Sequence, residues 1–372
     1  MRQNRKIMRI KEIIEHLEGI APLNYQESYD NSGLIVGDAN QEVHKAMISL
    51  DCTEEVVEDA ISKGCNLIIS HHPIVFSGLK RFTGKNYVER TVIKAIKNNI
   101  ALYAIHTNLD NILGGVSSKM AEKLGLENQA ILRPKAGFLK KLVVYVPRTH
   151  VEEVRTALFD AGAGSIGDYD QCSYNTAGYG TFRPLDGANP TIGKVGEQER
   201  VEETKIEVIL PAQLERKILV SMLSAHPYEE VAYQIVGIEN PHSYVGSGVI
   251  GNLKVPMSES DFLGYLKEKM NLNVIRHTQT LGKEISRVAV CGGAGGFLLG
   301  DAKRSGADIF ITSDYKYHEF FDAEGELIIA DIGHFESEQF TQELLLDIIQ
   351  KKFANFAVLL TEIDTNPIKY YS

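Results

Sequence analysis

Two adjacent histidines, His71 and His72, come directly after an apolar run in the segment 66–73. An apolar run of this length after a glycine predicts a strand that is buried on both faces. Pro73 ends the strand, because proline cannot donate to a sheet ladder. Both imidazoles are therefore expected at the strand's carboxyl end, where open α/β sheets bind their ligands. Since successive side chains of a strand point in opposite directions, the pair would serve one metal badly but could serve two metals, one each.

Two further segments repeat this design of an apolar run followed by ligand-type side chains. One supplies His106 and Asp110. The other supplies His334 and Glu338, which are four residues apart where a helix begins and therefore share one face. Imidazole and carboxylate groups together suit Zn, Mn or Fe(II), and a carboxylate can bridge two cations roughly 3.5–4 Å apart, a pair that generates hydroxide near neutral pH. A lone histidine after a strand is more often structural, but three segments of one design favour a metal site.

The composition argues against two classes of partner. The chain has 372 residues, enough for two domains, and its formal net charge of -10 argues against a nucleic acid bound by phosphate neutralisation. No run of about 18 apolar residues exists, so no membrane span is predicted. The four cysteines are far apart and form no CxxC pair, which indicates reduced thiols in a cytoplasmic protein. The largest basic cluster lies in an amino-terminal stretch that predicts an amphipathic helix and not a signal peptide, and it consists of Arg2, Arg5, Lys6, Arg9 and Lys11.

Strand and helix signals alternate in the first third of the chain and again after about Gly246, which predicts a layered α/β/α fold with parallel strands. Thr53 is expected to cap the first of these helices and Gly125 to close the third. The predicted strands are 46–51, 66–70, 101–108, 287–290, 308–312 and 327–331. The predicted helices are 53–63, 91–99, 116–124, 297–305 and 335–353.

The middle of the chain has a different texture. From Lys141 to about Asn240 the predicted order is β-α-β-β-α-β, the ferredoxin-like α+β plan. Its elements are a strand at 142–147, a helix at 151–161, a weak strand pair within 162–196, a strand at 205–210, a helix at 212–225 and a strand at 231–238. Two α/β stretches around such a block predict one discontinuous domain, 1–132 with 246–372, interrupted by an inserted domain, 133–245.

A faint internal echo links the two α/β stretches. The segment 64–70 is similar to 306–312, and in that register Asp314 falls where His72 does. The echo indicates either a duplicated βαβ half or only the likeness of helix-glycine-strand turns in any α/β protein.

Six short segments carry a family resemblance: YDNSGL, SHHP, HTNLD, GGAG, TSDYKYH and GHFESE. In combination they closely resemble the NGG-interacting-factor-three-like family, commonly labelled GTP cyclohydrolase I type 2, over about residues 7–130 and 246–372. The middle resembles the CutA/PII-like ferredoxin fold of longer bacterial members. The resemblance implies a ring-shaped homohexamer and a dinuclear centre with two divalent ions per chain, Zn first, with Mn or Fe as alternatives. The implied ligands are His71, His72, Asp110, His334 and Glu338.

Within that implied centre, side-chain chemistry assigns roles. Glu338 is expected to bridge the metals, with Asp110 terminal on one ion and His334 terminal on the other. His106 is expected outside the ligand set, as an outer partner of a ligand or as a catalytic proton shuttle. Four residues after the strand 308–312 could orient a substrate: Asp314, Tyr315, Tyr317 and His318. For the two tyrosines, ordinary loop packing is the alternative.

A glycine-rich turn, 292–296, follows a predicted strand and opens a predicted helix. The dinucleotide fingerprint GxGxxG fails there, because Leu298 occupies the position of its last glycine. Two interpretations stay open, namely an anion-binding turn with free N–H groups and a close approach of the backbone to the metal site.

These features favour a metal-dependent hydrolase that acts on a nucleotide or another phosphate-containing small molecule, with GTP ring opening implied by the family label. The alternative is a regulatory or ligand-sensing metal protein without turnover, in which the inserted domain binds a small molecule. The failed fingerprint argues against a third class, a nucleotide-cofactor enzyme.

Overall fold

The computed structural model describes residues 8–371, and the chain divides into two compact units. Unit 1 comprises Met1–Arg133 and Tyr244–Ser372, and unit 2 comprises Pro134–Ser243. Of the predicted amino-terminal helix, the basic residues Arg2, Arg5 and Lys6 lie outside the described residues. Among the helices that are described, none is long and apolar enough to cross a membrane.

The described residues form a mixed α/β fold with three sheets. The strands are β1 (Gly33–Val36), β2 (Lys45–Ser49), β3 (Leu67–Ser70), β4 (Ala101–Ala104), β5 (Glu127–Pro134), β6 (Leu139–Pro147), β7 (Tyr174–Phe182), β8 (Glu199–Pro211), β9 (Tyr233–Ile238), β10 (Gly246–Ser258), β11 (Arg276–His277), β12 (Glu284–Val290), β13 (Ile309–Thr312), β14 (Ile328–Asp331) and β15 (Ala357–Leu360). The helices are α1 (Ile10–Ile20), α2 (Glu54–Ser62), α3 (Tyr87–Lys97), α4 (Thr107–Asp110), α5 (Val116–Lys123), α6 (Val151–Asp160), α7 (Glu215–Ala225), α8 (Glu259–Lys269), α9 (Leu299–Arg304), α10 (His334–Glu338) and α11 (Thr341–Lys352).

The first sheet of unit 1 has the order β1-β4-β3-β2-β15. Strands β4, β3, β2 and β15 are parallel, and β1 pairs antiparallel with β4. Every residue of the central strand β3 is buried, as its continuous apolar run predicts. Helix α2 begins at the predicted cap, where the Thr53 hydroxyl accepts a hydrogen bond from the N–H of Val56 at 3.3 Å. This sheet therefore carries His71 and His72 at the end of its central strand.

The second sheet of unit 1 has the order β11-β14-β13-β12-β10-β5, with β12, β13 and β14 parallel. The middle strand of these three, β13, is also covered on both faces, since Ile309 and Ile311 belong to one apolar cluster and Phe310 to another. Each sheet contains three adjacent parallel strands that follow one another in the chain, β2, β3 and β4 in the first sheet and β12, β13 and β14 in the second. In each sheet an antiparallel strand pairs with the last of the three, β1 with β4 and β11 with β14. Gly64 and Gly306 precede the central strands with nearly equal φ, 69° and 72°. This shared plan favours the duplication interpretation of the sequence echo.

Several predicted elements of unit 1 have different bounds in the structure. The strand predicted over 101–108 stops at Ala104, because the chain turns into the short helix α4. The long helix predicted over 335–353 is two helices, α10 and α11, and Phe340 at their junction is buried in the apolar cluster of the second sheet. The helix predicted over 297–305 begins at Leu299 after a 3-10 turn. Strands β1, β5, β10, β11 and β15 and helices α4 and α8 were not predicted.

Unit 2 contains one antiparallel sheet of order β7-β8-β6-β9 and two helices, in the predicted order β-α-β-β-α-β. Alternate residues of β6 and β8, such as Val144 and Ile206, pack with Leu158 of α6 and Met222 of α7. The prediction of a weak strand pair within 162–196 is wrong in detail. That stretch contributes one strand, β7, which pairs along its whole length with β8.

Candidate metal centre

The predicted ligand residues of unit 1 lie where three parallel strands end. His71 and His72 follow β3, and Asp110 closes α4, which follows β4. His334 and Glu338 open and close α10, which follows β14 of the second sheet. The carboxyl ends of strands from both sheets therefore face a single site, as parallel strands with short following turns allow.

Glu338 lies at the middle of this cluster, and its side chain is 3% exposed. Its Oε2 lies 2.9 Å from Nε2 of His72 and 3.3 Å from Nε2 of His334. Its Oε1 lies 3.8 Å from Nε2 of His71, which in turn lies 3.6 Å from Oδ1 of Asp110. Three of the other predicted ligands, His71, His72 and His334, thus lie around the Glu338 carboxylate, and Asp110 lies beside His71.

The two histidines that follow β3 are oriented by hydrogen-bond partners at Nδ1, the ring nitrogen on the side away from Glu338. His71 donates from Nδ1 to the carbonyl oxygen of Ile105 at 2.9 Å. His72 pairs through Nδ1 with Oδ1 of Asp51 at 2.7 Å. In both rings the hydrogen bond at Nδ1 turns Nε2 toward Glu338. Metal-ligating histidines are usually held in this way, because the outer hydrogen bond fixes the tautomer and the ring orientation.

The other two histidines repeat the arrangement. His334 pairs through Nδ1 with Oδ2 of Asp314 at 2.6 Å, and His106 pairs through Nδ1 with Oδ1 of Asp30 at 2.7 Å. A ring nitrogen of His106 lies within 4.8 Å of those of His71 and His72, so it could join a ligand set as well as move a proton. A second group with this spacing consists of His72, His334 and Glu338.

Two buried atoms of the cluster have no hydrogen-bond partner among the described residues, Nε2 of His71 and Oδ1 of Asp110. Leaving a buried polar atom without a partner costs roughly 1–3 kcal/mol, so such atoms are rare in folded proteins. Both atoms are of a type that ligates Zn, Mn or Fe(II), and they face each other across 3.6 Å. The residues present therefore fit a bound cation.

Burial and the neighbouring charges shift the pKa values of the ionisable groups in the cluster. Burial disfavours the charged ring of His72, but hydrogen bonds with its outer aspartate and with Glu338 outweigh burial and raise the pKa to about 10. By the same balance the pKa of His334 is raised to about 11. Burial alone would raise the pKa of Glu338, but the surrounding histidines hold it well below its usual value. Burial and the nearby carboxylate of Glu338 raise the pKa of Asp110.

The cluster opens into a cleft of about 680 Å³ in unit 1. Four exposed aromatic side chains line it, namely Tyr29, Phe76, Tyr87 and Phe297. The described lining residues include four acidic side chains, Glu27, Asp51, Asp110 and Glu338, and no lysine or arginine. The carboxy-terminal segment 365–368 forms part of the wall, where the Thr365 hydroxyl donates to Oδ2 of Asp51 at 2.7 Å.

The glycine-rich turn lies against the cluster. Gly293 has a φ of +66°, and a Cβ atom there would overlap Oε1 of Glu338. Three N–H groups of the turn, those of Gly292, Gly293 and Gly295, donate to hydroxyl groups of Ser117, Ser337 and Thr312. The turn therefore serves close approach of the backbone to the cluster, and these N–H groups are not free for an anion.

The sequence did not identify Asp51 as a site residue, and it did not identify Asp30 as the hydrogen-bond partner of His106. A signal for Asp51 existed, since it follows the apolar run of β2 just as His71 follows that of β3. Asp314, expected to orient a substrate, pairs with Nδ1 of His334. Tyr315 is buried in an apolar cluster, as the packing interpretation requires. The rings of the exposed Tyr317 and of His318 pack on each other and on Phe321.

The fold and the site define a mixed α/β protein with a histidine–carboxylate cluster that could hold metal. Residues 8–367 match the family model described as Duf34/NIF3 (NGG1p interacting factor 3). The chain is 39% identical over 366 residues to the GTP cyclohydrolase 1 type 2 homolog of Bacillus subtilis (strain 168), covering 97% of this chain and 98% of that protein. A homolog of the same name from Halalkalibacterium halodurans is 38% identical over 370 residues, 98% of this chain and 100% of that protein.

Solved structures similar to this chain support the same family. A Bacillus cereus protein related to NIF3 is 40% identical and has a TM-score of 0.86, with 98% of this chain and 100% of that chain covered. A Staphylococcus aureus protein is 30% identical with a TM-score of 0.78, over 98% of this chain and 99% of that chain. The chain belongs to the Duf34/NIF3 family, which confirms the resemblance carried by the six sequence segments.

Proposed function

We propose that unit 1 holds a dinuclear divalent-metal centre and is a metal-dependent hydrolase for a nucleotide or another phosphate-containing small molecule. The residues that would hold the ions are His71, His72, Asp110, His334 and Glu338, and Glu338, at the middle of the cluster, would be shared between them. The observation that carries the proposal is the pair of facing buried atoms without hydrogen-bond partners, Nε2 of His71 and Oδ1 of Asp110. Zn is the first choice of metal, with Mn and Fe(II) as alternatives, because the ligand set mixes imidazole with carboxylate.

When bound, a pair of divalent ions supplies a nucleophile near neutral pH and stabilises the charge that develops on the substrate. The chain's own contribution is orientation and proton transfer. The outer partners of the histidines hold their rings in place, and the aromatic side chains of the cleft can pack on a planar substrate. His106, with Nδ1 held by Asp30, is the residue we assign to hold or move a proton at its other ring nitrogen.

Metal analysis of protein purified without chelator tests the centre. We expect about two ions per chain in the wild type and a loss of at least one in Glu338→Gln and in His71→Ala, because each variant removes a ligand atom. Glu343→Gln, at a partly exposed position of α11, is the matched control and should retain both ions. Wild-type metal content in both ligand variants would overturn the proposal.

Turnover is tested separately with the metal-loaded protein. Nucleoside triphosphates, nucleoside monophosphates and simple phosphate esters should be offered to the wild type, His71→Ala and Glu338→Gln. At least one class should be hydrolysed by the wild type and by neither variant. Equal rates for all three proteins on every class would leave a metal-binding protein without the hydrolase role.

A regulatory, ligand-sensing protein without turnover is the second candidate function. The observation that favours it is a cavity of about 730 Å³ that lies wholly in unit 2. In that case unit 2 would be the inserted CutA/PII-like domain, 133–245, and 1–132 with 246–372 would form a layered α/β/α metal domain. A ligand that binds unit 2 and changes metal affinity, with no hydrolysis of any class, would favour this candidate.

The assembly and the compartment are also proposals. We infer a homohexamer from the family resemblance, and light scattering that gives a monodisperse monomer would contradict it. All four cysteines are free, and three of them are buried, which supports a reducing, cytoplasmic location.

A further inference from the structure

Unit 2 has a ligand-sized cavity on the face of its sheet opposite the core. Alternate residues of β6 and β8 pack against the two helices, whereas Tyr145 of β6 and Glu203 and Lys205 of β8 belong to the other alternation and line the cavity. Its volume of about 730 Å³ lies within the usual range for small-molecule sites. None of its lining residues belongs to the candidate metal centre.

The cavity owes its depth to small residues on β7. Thr176 and Gly178 lie opposite Lys205 and Glu203 in the strand register, and Gly180 is the next residue on that face. A Cβ atom at Gly180 would overlap Oε2 of Glu203. The glycine therefore provides the room in which the Glu203 carboxylate lies.

A loop closes the cavity on one side. The N–H of Asn189 donates to Oε1 of Glu229 at 2.9 Å, and the Thr191 hydroxyl donates to the carbonyl oxygen of Pro227 at 2.6 Å. These two hydrogen bonds tie the loop 183–192, which lines the cavity, to the segment 227–230 across from it. The space is therefore a built pocket with defined walls.

Aromatic rings line the cavity together with the carboxylate of Glu203. The Tyr228 hydroxyl donates to Oε1 of Glu203 at 3.2 Å, and the Phe182 ring meets the Tyr228 ring edge-on with centroids 5.8 Å apart. Tyr145 lines the same cavity. A cavity lined by a carboxylate and three aromatic rings is an environment that attracts organic cations, because ring faces and carboxylate both carry negative potential.

The charges of the lining agree with this preference. Three acidic residues, Glu203, Glu229 and Glu230, line the cavity, against Arg183 and Lys205. Lys205 pairs with Glu207 at 3.0 Å, and because the same carboxylate also pairs with Lys141 at 3.0 Å, it compensates part of the charge of Lys205. We propose that this cavity binds a small organic cation with a planar body, whose amidinium or ammonium head pairs with Glu203 and whose body packs on the rings of Tyr145, Phe182 and Tyr228. This site goes beyond the proposed hydrolase function and does not depend on the metal centre.

Calorimetric titration of the full-length protein with benzamidinium chloride tests the proposal, with benzoate and inorganic phosphate as anionic probes. The wild type should bind benzamidinium saturably and neither anion at this site. Glu203→Gln should weaken benzamidinium binding at least roughly tenfold, because it removes a charged partner. The matched control is Glu202→Gln. Glu202 is the neighbouring residue of β8, its side chain lies on the opposite face of the sheet, and it is exposed and pairs with Arg148 at 3.3 Å. It should bind benzamidinium as the wild type does.

Tyr228→Leu is the second variant, and it should weaken binding while metal content stays at the wild-type value. Thermal unfolding of each variant establishes that it is folded. The proposal fails if the wild type does not bind benzamidinium, if folded Glu203→Gln binds it as tightly as Glu202→Gln, or if an anion binds in a manner that requires Glu203. Because metal content is measured independently, such a failure is distinct from failure of the dinuclear centre.

Discussion

Each histidine of the candidate centre has its outer ring nitrogen occupied by an acceptor, and the acceptors come from four separate places in the chain. They are Asp30, Asp51, Asp314 and the carbonyl oxygen of Ile105. Because each such hydrogen bond fixes the orientation of one ring, an accidental cluster of histidines would rarely have all four. At the scale of single residues, the supporting partners therefore argue for ligation as strongly as the ligands themselves.

Metal binding should release protons from two of these histidines. The pKa of His72 is raised to about 10 and that of His334 to about 11, so both rings are protonated near pH 7 in the metal-free protein. A metal ion binds only the deprotonated nitrogen, so its uptake should release about two protons per chain, and its affinity should fall as pH falls. Calorimetry in buffers of different ionisation enthalpy measures the number. Identical heats in all buffers would contradict the assignment.

Replacing Gly293 by alanine should disturb the centre through Glu338. The backbone there has a φ of +66°, and the added methyl group would overlap Oε1 of the carboxylate. We expect a stability loss of about 1 kcal/mol or more and a metal affinity at least tenfold lower. Gly306→Ala is the matched control, because its φ is +72° but nothing lies within 4 Å of its added Cβ. Chemical denaturation and a chelator competition assay should separate the two effects, and equal metal affinities would count against the contact.

At the scale of elements, the sequence predicted those features that local patterns determine. The apolar runs of β3 and β14 and the polar residues after them located most of the proposed ligands, because parallel strands place their carboxyl ends on one edge. The pattern could not predict that α10 ends at Glu338, since the break depends on where Phe340 packs. Asp51 was missed because a single aspartate after a strand has many ordinary explanations. Its role depends on His72 and Thr365, which are distant in sequence.

The carboxy-terminal segment should tune the centre through Asp51. Thr365 donates to Oδ2 of Asp51 at 2.7 Å, while Oδ1 of the same carboxylate holds His72. Thr365→Val keeps the shape and removes one hydrogen bond, so we expect metal affinity to fall roughly two- to tenfold. Thr361→Val, which removes a comparable bond to Asp59 at 2.8 Å, is the control and should leave affinity unchanged. The same chelator competition measures both, and an equal effect of the two variants would show that the segment acts only on stability.

At the scale of the whole molecule, the two compact units should respond differently to metal. Unit 1 contains every proposed ligand, and unit 2 has its own apolar core built from both of its helices and its sheet. A cation that binds only the folded state stabilises it by about 4 kcal/mol at a concentration of roughly a thousand times Kd. For a unit of this size, that gain corresponds to a rise in unfolding temperature of roughly 10 °C.

Differential scanning calorimetry of the full chain, with and without added Zn, should therefore show one transition that moves and one that stays. The moving transition belongs to unit 1, because only unit 1 carries His71, Asp110 and Glu338. In Glu338→Gln the same addition should move the unit 1 transition less than in the wild type, whereas Glu343→Gln should behave as the wild type does. If both transitions shift together in the wild type, metal stability is not confined to unit 1. If neither shifts, the buried, facing atoms of His71 and Asp110 do not hold a cation.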